Sequence, residues 1–265
     1  LAIPIRHATC AWNNDAGRGV DFWIVAGLAS FLMGLSKGGV PMIAILAVPL
    51  MSLFMDPARA AGLLLPIYIV ADVYAVYLFR KAFSLRNIKI LLPGAVVGIL
   101  VGFAAVSFVP GDAGKLLVAG IGLYYLATAL RGRFSKTPVV ARPADVPRGL
   151  FWGTVTGLTS YISHAGGPPY QAYVLPQKLD KMVYLGTTAI FFSIVNLIKV
   201  PPFILAGQIT WDSVSQAVWL APFALAGAWS GSMISRALPE RAFFILIEIA
   251  LAVVSFKLLY EVLLT

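Results

Sequence analysis

The stretch "LLPGAVVGILVG", Leu91–Gly102, is apolar throughout except for one proline and three glycines. It returns further along as "WLAPFALAGAWSG", Trp219–Gly231, where Pro222, Gly227 and Gly231 each stand 129 residues beyond Pro93, Gly98 and Gly102. Three such residues repeated at one spacing mark an internal duplication. The medium is equally legible. Sixty per cent of the 265 residues are hydrophobic, 12% are charged and the mean hydropathy is +0.88, values that a domain with a wet surface does not carry. Apolar runs recur at about 20–36, 40–55, 60–79, 88–109, 114–130, 149–163, 168–177, 184–205, 213–235 and 241–263, many of them long enough to cross about 30 Å of hydrocarbon. The expected fold is an all-α integral membrane protein, a duplicated helical bundle.

A second repeat lies upstream of the first. "GLSKGGVP", Gly34–Pro41, is echoed by "ISHAGGPP", Ile162–Pro169, with Gly38, Gly39 and Pro41 corresponding to Gly166, Gly167 and Pro169. Charge orients the halves. Arg80, Lys81, Arg86 and Lys89 crowd one connection, Arg131, Arg133, Lys136, Arg142 and Arg148 fill another, and smaller pairs stand at Lys178/Lys181 and Arg236/Arg241. Such clusters mark cytoplasmic loops, whereas Val109–Gly114 and Ala206–Ser213 carry no cation and belong outside. If each glycine motif turns a hairpin that enters and leaves on one side, three spans follow it, and an odd number inverts the second half. This gives an N-terminal extracytoplasmic segment 1–19, a first membrane repeat 20–130, a basic cytoplasmic linker 131–148 and a second, inverted repeat 149–265. Both termini are then extracytoplasmic in a multi-pass protein of a bacterial-type inner membrane. The net charge of +9 is confined to loops, which argues against a nucleic-acid partner. The lone Cys10 excludes an internal disulfide, and two histidines are too few for a histidine-rich metal site.

A glycine pair followed by proline suits the start of a helix, where bare backbone N–H groups share the positive end of the helix dipole. Two such tips meeting near the midplane would cradle an anion. The expected substrate-binding residues are Ser36, Lys37, Gly38 and Gly39 from one half, and Ser163, His164, Gly166, Gly167 and Asn196 from the other. Asp72 is an intramembrane carboxylate and is the expected coupling-ion residue, as proton relay, sodium ligand or counter-ion to Lys37; it is placed symmetrically to Asn196. Lys199 precedes Pro201-Pro202, which is expected to break or end its segment and leave the lysine at the outer mouth or interface. The plainer alternative is that glycine and proline serve only close packing and tight reversals. That reading fits Gly94, Gly98, Gly102, Gly227 and Gly231, which are spaced along one helix face.

The duplicated order of "GLSKGGVPMIAILAVPLM", "ARAAGLLLP" and "IKILLPGAVVGILVG", over about Phe22–Leu263, resembles the TauE/SafE sulfite exporter family of anion permeases. The resemblance implies a secondary transporter of small sulfur oxyanions, such as sulfite, thiosulfate-like ions or organosulfonates including sulfoacetate. Its partners would be the small anion, the lipid bilayer and a coupling proton. It carries the glycine pairs over as Gly38/Gly39 and Gly166/Gly167. No cofactor or metal is called for, and no HExxH, Walker loop or paired-carboxylate spacing supports an enzyme. An anion channel and an accessory membrane subunit are the rival readings. A homodimer through lipid-facing helices is compatible with the pattern, which identifies no surface for it.

Overall fold

The computed structural model describes residues 20–40, 43–105, 120, 123, 127 and 141–264. The expected span 114–130, the connection Val109–Gly114, most of the basic linker, segment 1–19 and Pro41 therefore fall outside the described residues or nearly so. Among the described residues every regular element is helical. They are α1 (Val20–Lys37), a 3-10 turn (Ile43–Leu46) leading into α2 (Ala47–Met51), α3 (Pro57–Phe79), α4 (Leu85–Ala105), α5 (Val146–Ser163), α6 (Gly167–Val174) with a 3-10 turn at Leu175–Gln177, α7 (Lys181–Leu205), α8 (Trp211–Ala237) and α9 (Glu240–Leu264). Five of these, α1, α3, α4, α7 and α8, are long and apolar enough to cross a membrane.

Local chemistry explains where the helices start. Asp56 caps α3 by accepting from Ala58 N at 2.9 Å, and Asp145 caps α5 by accepting from Arg148 N at 2.9 Å; a proline opens each first turn. Thr210 and Ser213 form a reciprocal capping box at α8. Prolines 66, 93 and 222 lie inside helices, as membrane helices tolerate. The expectation that Pro201-Pro202 breaks its segment is corrected here. The helix α7 continues to Leu205: the prolines remove only the bonds that their missing N–H groups would give to Leu197 O and Ile198 O, a loss that membrane helices tolerate.

Glycine decides how the helices approach. A Cβ added to Gly98 of α4 would lie 2.0 Å from Thr154 O of α5, and one on Gly157 of α5 would lie 2.1 Å from Ala95 O of α4. The same happens between α1 and α8, where Gly34 faces Ala224 O at 1.9 Å and Gly227 faces Phe31 O at 2.1 Å. These helices touch backbone to backbone. The glycines that recur 129 residues apart thus serve packing, and each fastens the opening helix of the other half: α4 holds α5, and α8 holds α1. Between these pairs α3 and α7 cross, and they carry the polar residues of the centre. The outside is apolar, with Val73, Tyr77, Val218 and Trp219 all at least 65% exposed, as a lipid-facing surface requires.

The two return arms are short. At about 1.5 Å per residue, the eight residues of α6 rise about 12 Å and α2 rises less, so neither crosses the hydrocarbon as a helix.

Candidate functional site

The helix α1 ends in "SKGG", and its ending is a full Schellman arrangement. Val40 N donates to Leu35 O at 3.1 Å, Gly39 N donates to Ser36 O at 3.2 Å, and Gly39 takes φ +110, which a residue with a Cβ rarely adopts. The first glycine pair therefore terminates a helix, and the helix start expected at Pro41 lies outside the described residues. The second pair behaves as expected, with Gly166 at the N-cap of α6 and Pro168 in the first turn. In that half the left-handed position closing α5 is held by His164, at φ 53. The motifs match in letters, and each does a different job at its helix end.

Lys37, as the last residue of α1, turns inward. Its Nζ stands 2.5 Å from Asp72 Oδ1 on α3, with the Tyr68 ring centroid 5.1 Å away and that of Phe192 at 5.7 Å. Asn196 of α7 donates Nδ2 to the other oxygen, Asp72 Oδ2, at 2.6 Å. The symmetrically placed carboxylate and amide therefore meet each other, and both are buried. One turn further along α7 comes Lys199, with no exposed surface. Its Nζ donates to Ser160 O at 3.3 Å and lies 2.8 Å from His164 Nδ1. This corrects the placement of Lys199 at the outer mouth: the unbroken helix carries it into the centre. His164 Nε2 is 3.1 Å from Ala61 O, and the ring stacks on Tyr68 with centroids 4.9 Å apart. Both ring nitrogens are thus engaged within the protein, and the free donor expected of His164 is not offered to the cavity.

Beside this cluster is a cavity of about 100 Å³. A site needs about 10–15 Å³ by this measure for each water, so there is room for a small polyatomic ion. Ser36, Lys37 and Gly39 line it from one half, and His164, Gly167 and Gln171 from the other. Gln171 is 2% exposed and its Oε1 has no partner. No carboxylate lines the cavity among the described residues, and Lys37 is the fixed cation of the wall.

Five of the expected residues, Ser36, Lys37, Gly39, His164 and Gly167, are brought to one cavity. The others lie behind it. Gly38 is pressed on α8, where a Cβ would meet Ala228 O at 2.2 Å, and Ser163 Oγ donates back to Thr159 O. Gly166 packs against Ser160 and Thr156, and Asn196 is spent on Asp72. Sequence reasoning missed Tyr68, Gln171, Thr188 and Phe192 as lining residues. Tyr68 and Asp72 are four apart on one helix, a spacing that could have flagged the ring.

Comparison with curated proteins and with solved structures gives no match. The family model described as "Sulfite exporter TauE/SafE" matches residues 22–258, nearly the whole chain. The helices that frame the cavity all lie within that span, so this multi-pass membrane protein belongs to the TauE/SafE sulfite exporter family, whose members are anion transporters rather than enzymes.

Proposed function

We propose that the chain is a secondary transporter of small sulfur oxyanions, sulfite, thiosulfate-like ions or short organosulfonates, which bind in the cavity between α1, α3, α6 and α7. The observation that carries this reading is the wall itself: Lys37 is 12% exposed, reaches the cavity from the end of α1, and no acid lines the space with it among the described residues. An anion there meets one ammonium, the Ser36 and Thr188 hydroxyls and the backbone at Gly39 and Gly167. Asp72 serves as counter-ion to Lys37 in this reading, one of the roles its position suggested, and keeps the ammonium placed when no anion is bound.

Alternating access between two inverted halves belongs to the same proposal. The reciprocal fastening of α5 by α4 and of α1 by α8 supports it, because it builds two similar bodies that each contain helices from both halves. The basic loops would face the cytoplasm and both termini the other side of a bacterial-type inner membrane. Coupling to a proton completes the reading.

The test is tracer flux in proteoliposomes with sulfite, thiosulfate and sulfoacetate, for the native chain and for Lys37→Ala. Saturable flux of one of them that falls at least about tenfold in the variant is expected, as the loss of a charge-assisted contact implies. Equal flux in a folded Lys37→Ala protein removes the cavity from the transport path.

A further inference from the structure

Two lysines stand at the centre of this protein, Lys199 buried and Lys37 nearly so, and the carboxylate between them is matched to one. Asp72 holds Lys37 on Oδ1 and Asn196 on Oδ2, so both of its oxygens are engaged. Lys199 has Ser160 O and His164 Nδ1 as polar partners, and among the described residues no carboxylate oxygen lies within 4.0 Å of its ammonium. A buried charge without a counter-charge is relieved in one of two ways: an anion comes near it, or the proton leaves.

His164 links that charge to the cavity. Its Nε2 faces the carbonyl Ala61 O and so carries the hydrogen, which makes Nδ1 the acceptor of a Lys199 hydrogen. The same ring lines the cavity. We infer that Lys199 and His164 hold one exchangeable proton between them, and that this proton crosses the membrane together with the anion. The inference rests on the anion-carrier reading above. Transfer within the pair breaks an N–H bond at Lys199 Nζ and forms one at His164 Nδ1. The lysine is then neutral, the ring bears hydrogen on both nitrogens, and one positive charge has moved to the cavity wall without being created or lost. The groups that face the pair are Lys37 at the end of α1, Asp72 and Tyr68 on α3, and Lys199's own neighbour Asn196 on α7. Lys37 and Asp72 cancel, so the site carries +1 with the proton and zero without it. An anion is therefore held best when the proton is present, which is the sign of symport.

Two measurements separate this inference from the reading beneath it. The first needs no substrate. In a chain labelled with ¹⁵N-histidine and carrying His7→Gln, His164 is the sole imidazole. Its nitrogens are followed by NMR across pH. Nδ1 is expected as an unprotonated acceptor, and Lys199→Met should shift the half-titration point of the ring by at least about tenfold in proton concentration. Lys199→Arg, which keeps a cationic donor, supports the same comparison if the methionine variant does not fold. A ring titration indifferent to both variants overturns the inference, whatever the chain transports.

The second is thiosulfate-driven proton movement in proteoliposomes, read with a trapped pH dye beside exchange of labelled thiosulfate. Lys199→Arg fixes the charge, so exchange should persist while proton movement falls at least about tenfold. Proton movement retained in Lys199→Arg overturns the assignment. Absence of thiosulfate exchange in the native chain counts against the carrier reading instead, and the imidazole titration then decides the proton site.

Discussion

Replacing Asp72 by asparagine removes one charge and leaves the side chain its size. The Lys37 ammonium then loses the carboxylate 2.5 Å away, in a place where the two side chains are only 12% and 4% exposed. At an effective dielectric constant of about 20, two unit charges at that separation attract by roughly 7 kcal/mol, and desolvation of both groups offsets much of it. Breaking such a pair from one side costs about 3–5 kcal/mol, because the remaining charge stays buried. In a chain of this size each kcal/mol moves the unfolding midpoint by about 2–4 °C, so Asp72→Asn should melt on the order of 10 °C below the native protein. Lys37→Met should fall comparably. The double variant Lys37→Met/Asp72→Asn strands neither charge, and asparagine still offers an oxygen to Asn196 Nδ2, so it should recover most of the loss. The assay is thermal unfolding in detergent, followed by tryptophan fluorescence, for all four proteins. Equal midpoints, or a double variant whose loss is the sum of the two singles, would refute the matched buried pair. An added oxyanion should also raise the Asp72→Asn midpoint more than the native one, since it supplies from the cavity the negative charge that Lys37 has lost.

Three further outcomes follow from glycines. Gly98→Leu puts a side chain where even a Cβ would stand 2.0 Å from Thr154 O, so α4 and α5 must separate; the yield of monodisperse protein in size-exclusion chromatography should collapse. Gly39→Ala forces a Cβ into φ +110 and to 2.8 Å from Ser235, which should cost about 1–3 kcal/mol by thermal unfolding and weaken anion flux together. Gly207 is the control, for its φ of +67 has nothing within 4 Å: Gly207→Asn, which accepts the left-handed region, should leave the midpoint within a few degrees of native.

Pro93, Gly98 and Gly102 were readable because a residue that breaks or crowds a helix leaves a mark no composition average hides, and a second copy of the mark removes chance. Asp72 and Asn196 were readable for a related reason: polar groups inside apolar runs need partners, and here they find each other. Lys199 was misplaced because Pro201-Pro202 looks like an ending, and only the observed continuation to Leu205 shows how little those prolines disturb a helix about to close. The first glycine pair was legible as a turn, but its part in closing α1 was not, because a helix end and a helix start ask for the same small residue; the hydrogen bonds of Val40 and Gly39 show the end. Gln171, Tyr68 and Phe192 carried no mark at all, since an aromatic wall looks like any core until α3, α6 and α7 are in place.

The reciprocal fastening of opening helices has a consequence for biosynthesis. The helix α1, with Lys37 at its end and Gly34 bare on its side, is made roughly 170 residues before α8 begins, which at about 5–20 residues per second is a wait of some 10–35 s. The helix α4 waits in the same way for α5, though for a shorter time. During that interval the bilayer holds helices whose glycine faces are uncovered, and for its first few seconds, about 2–7 s, a lysine whose carboxylate is still arriving on α3. The chain therefore cannot mature one half at a time. It is a protein whose quality control must tolerate an unfinished first half, and in which a truncated second half leaves α1 permanently unclaimed.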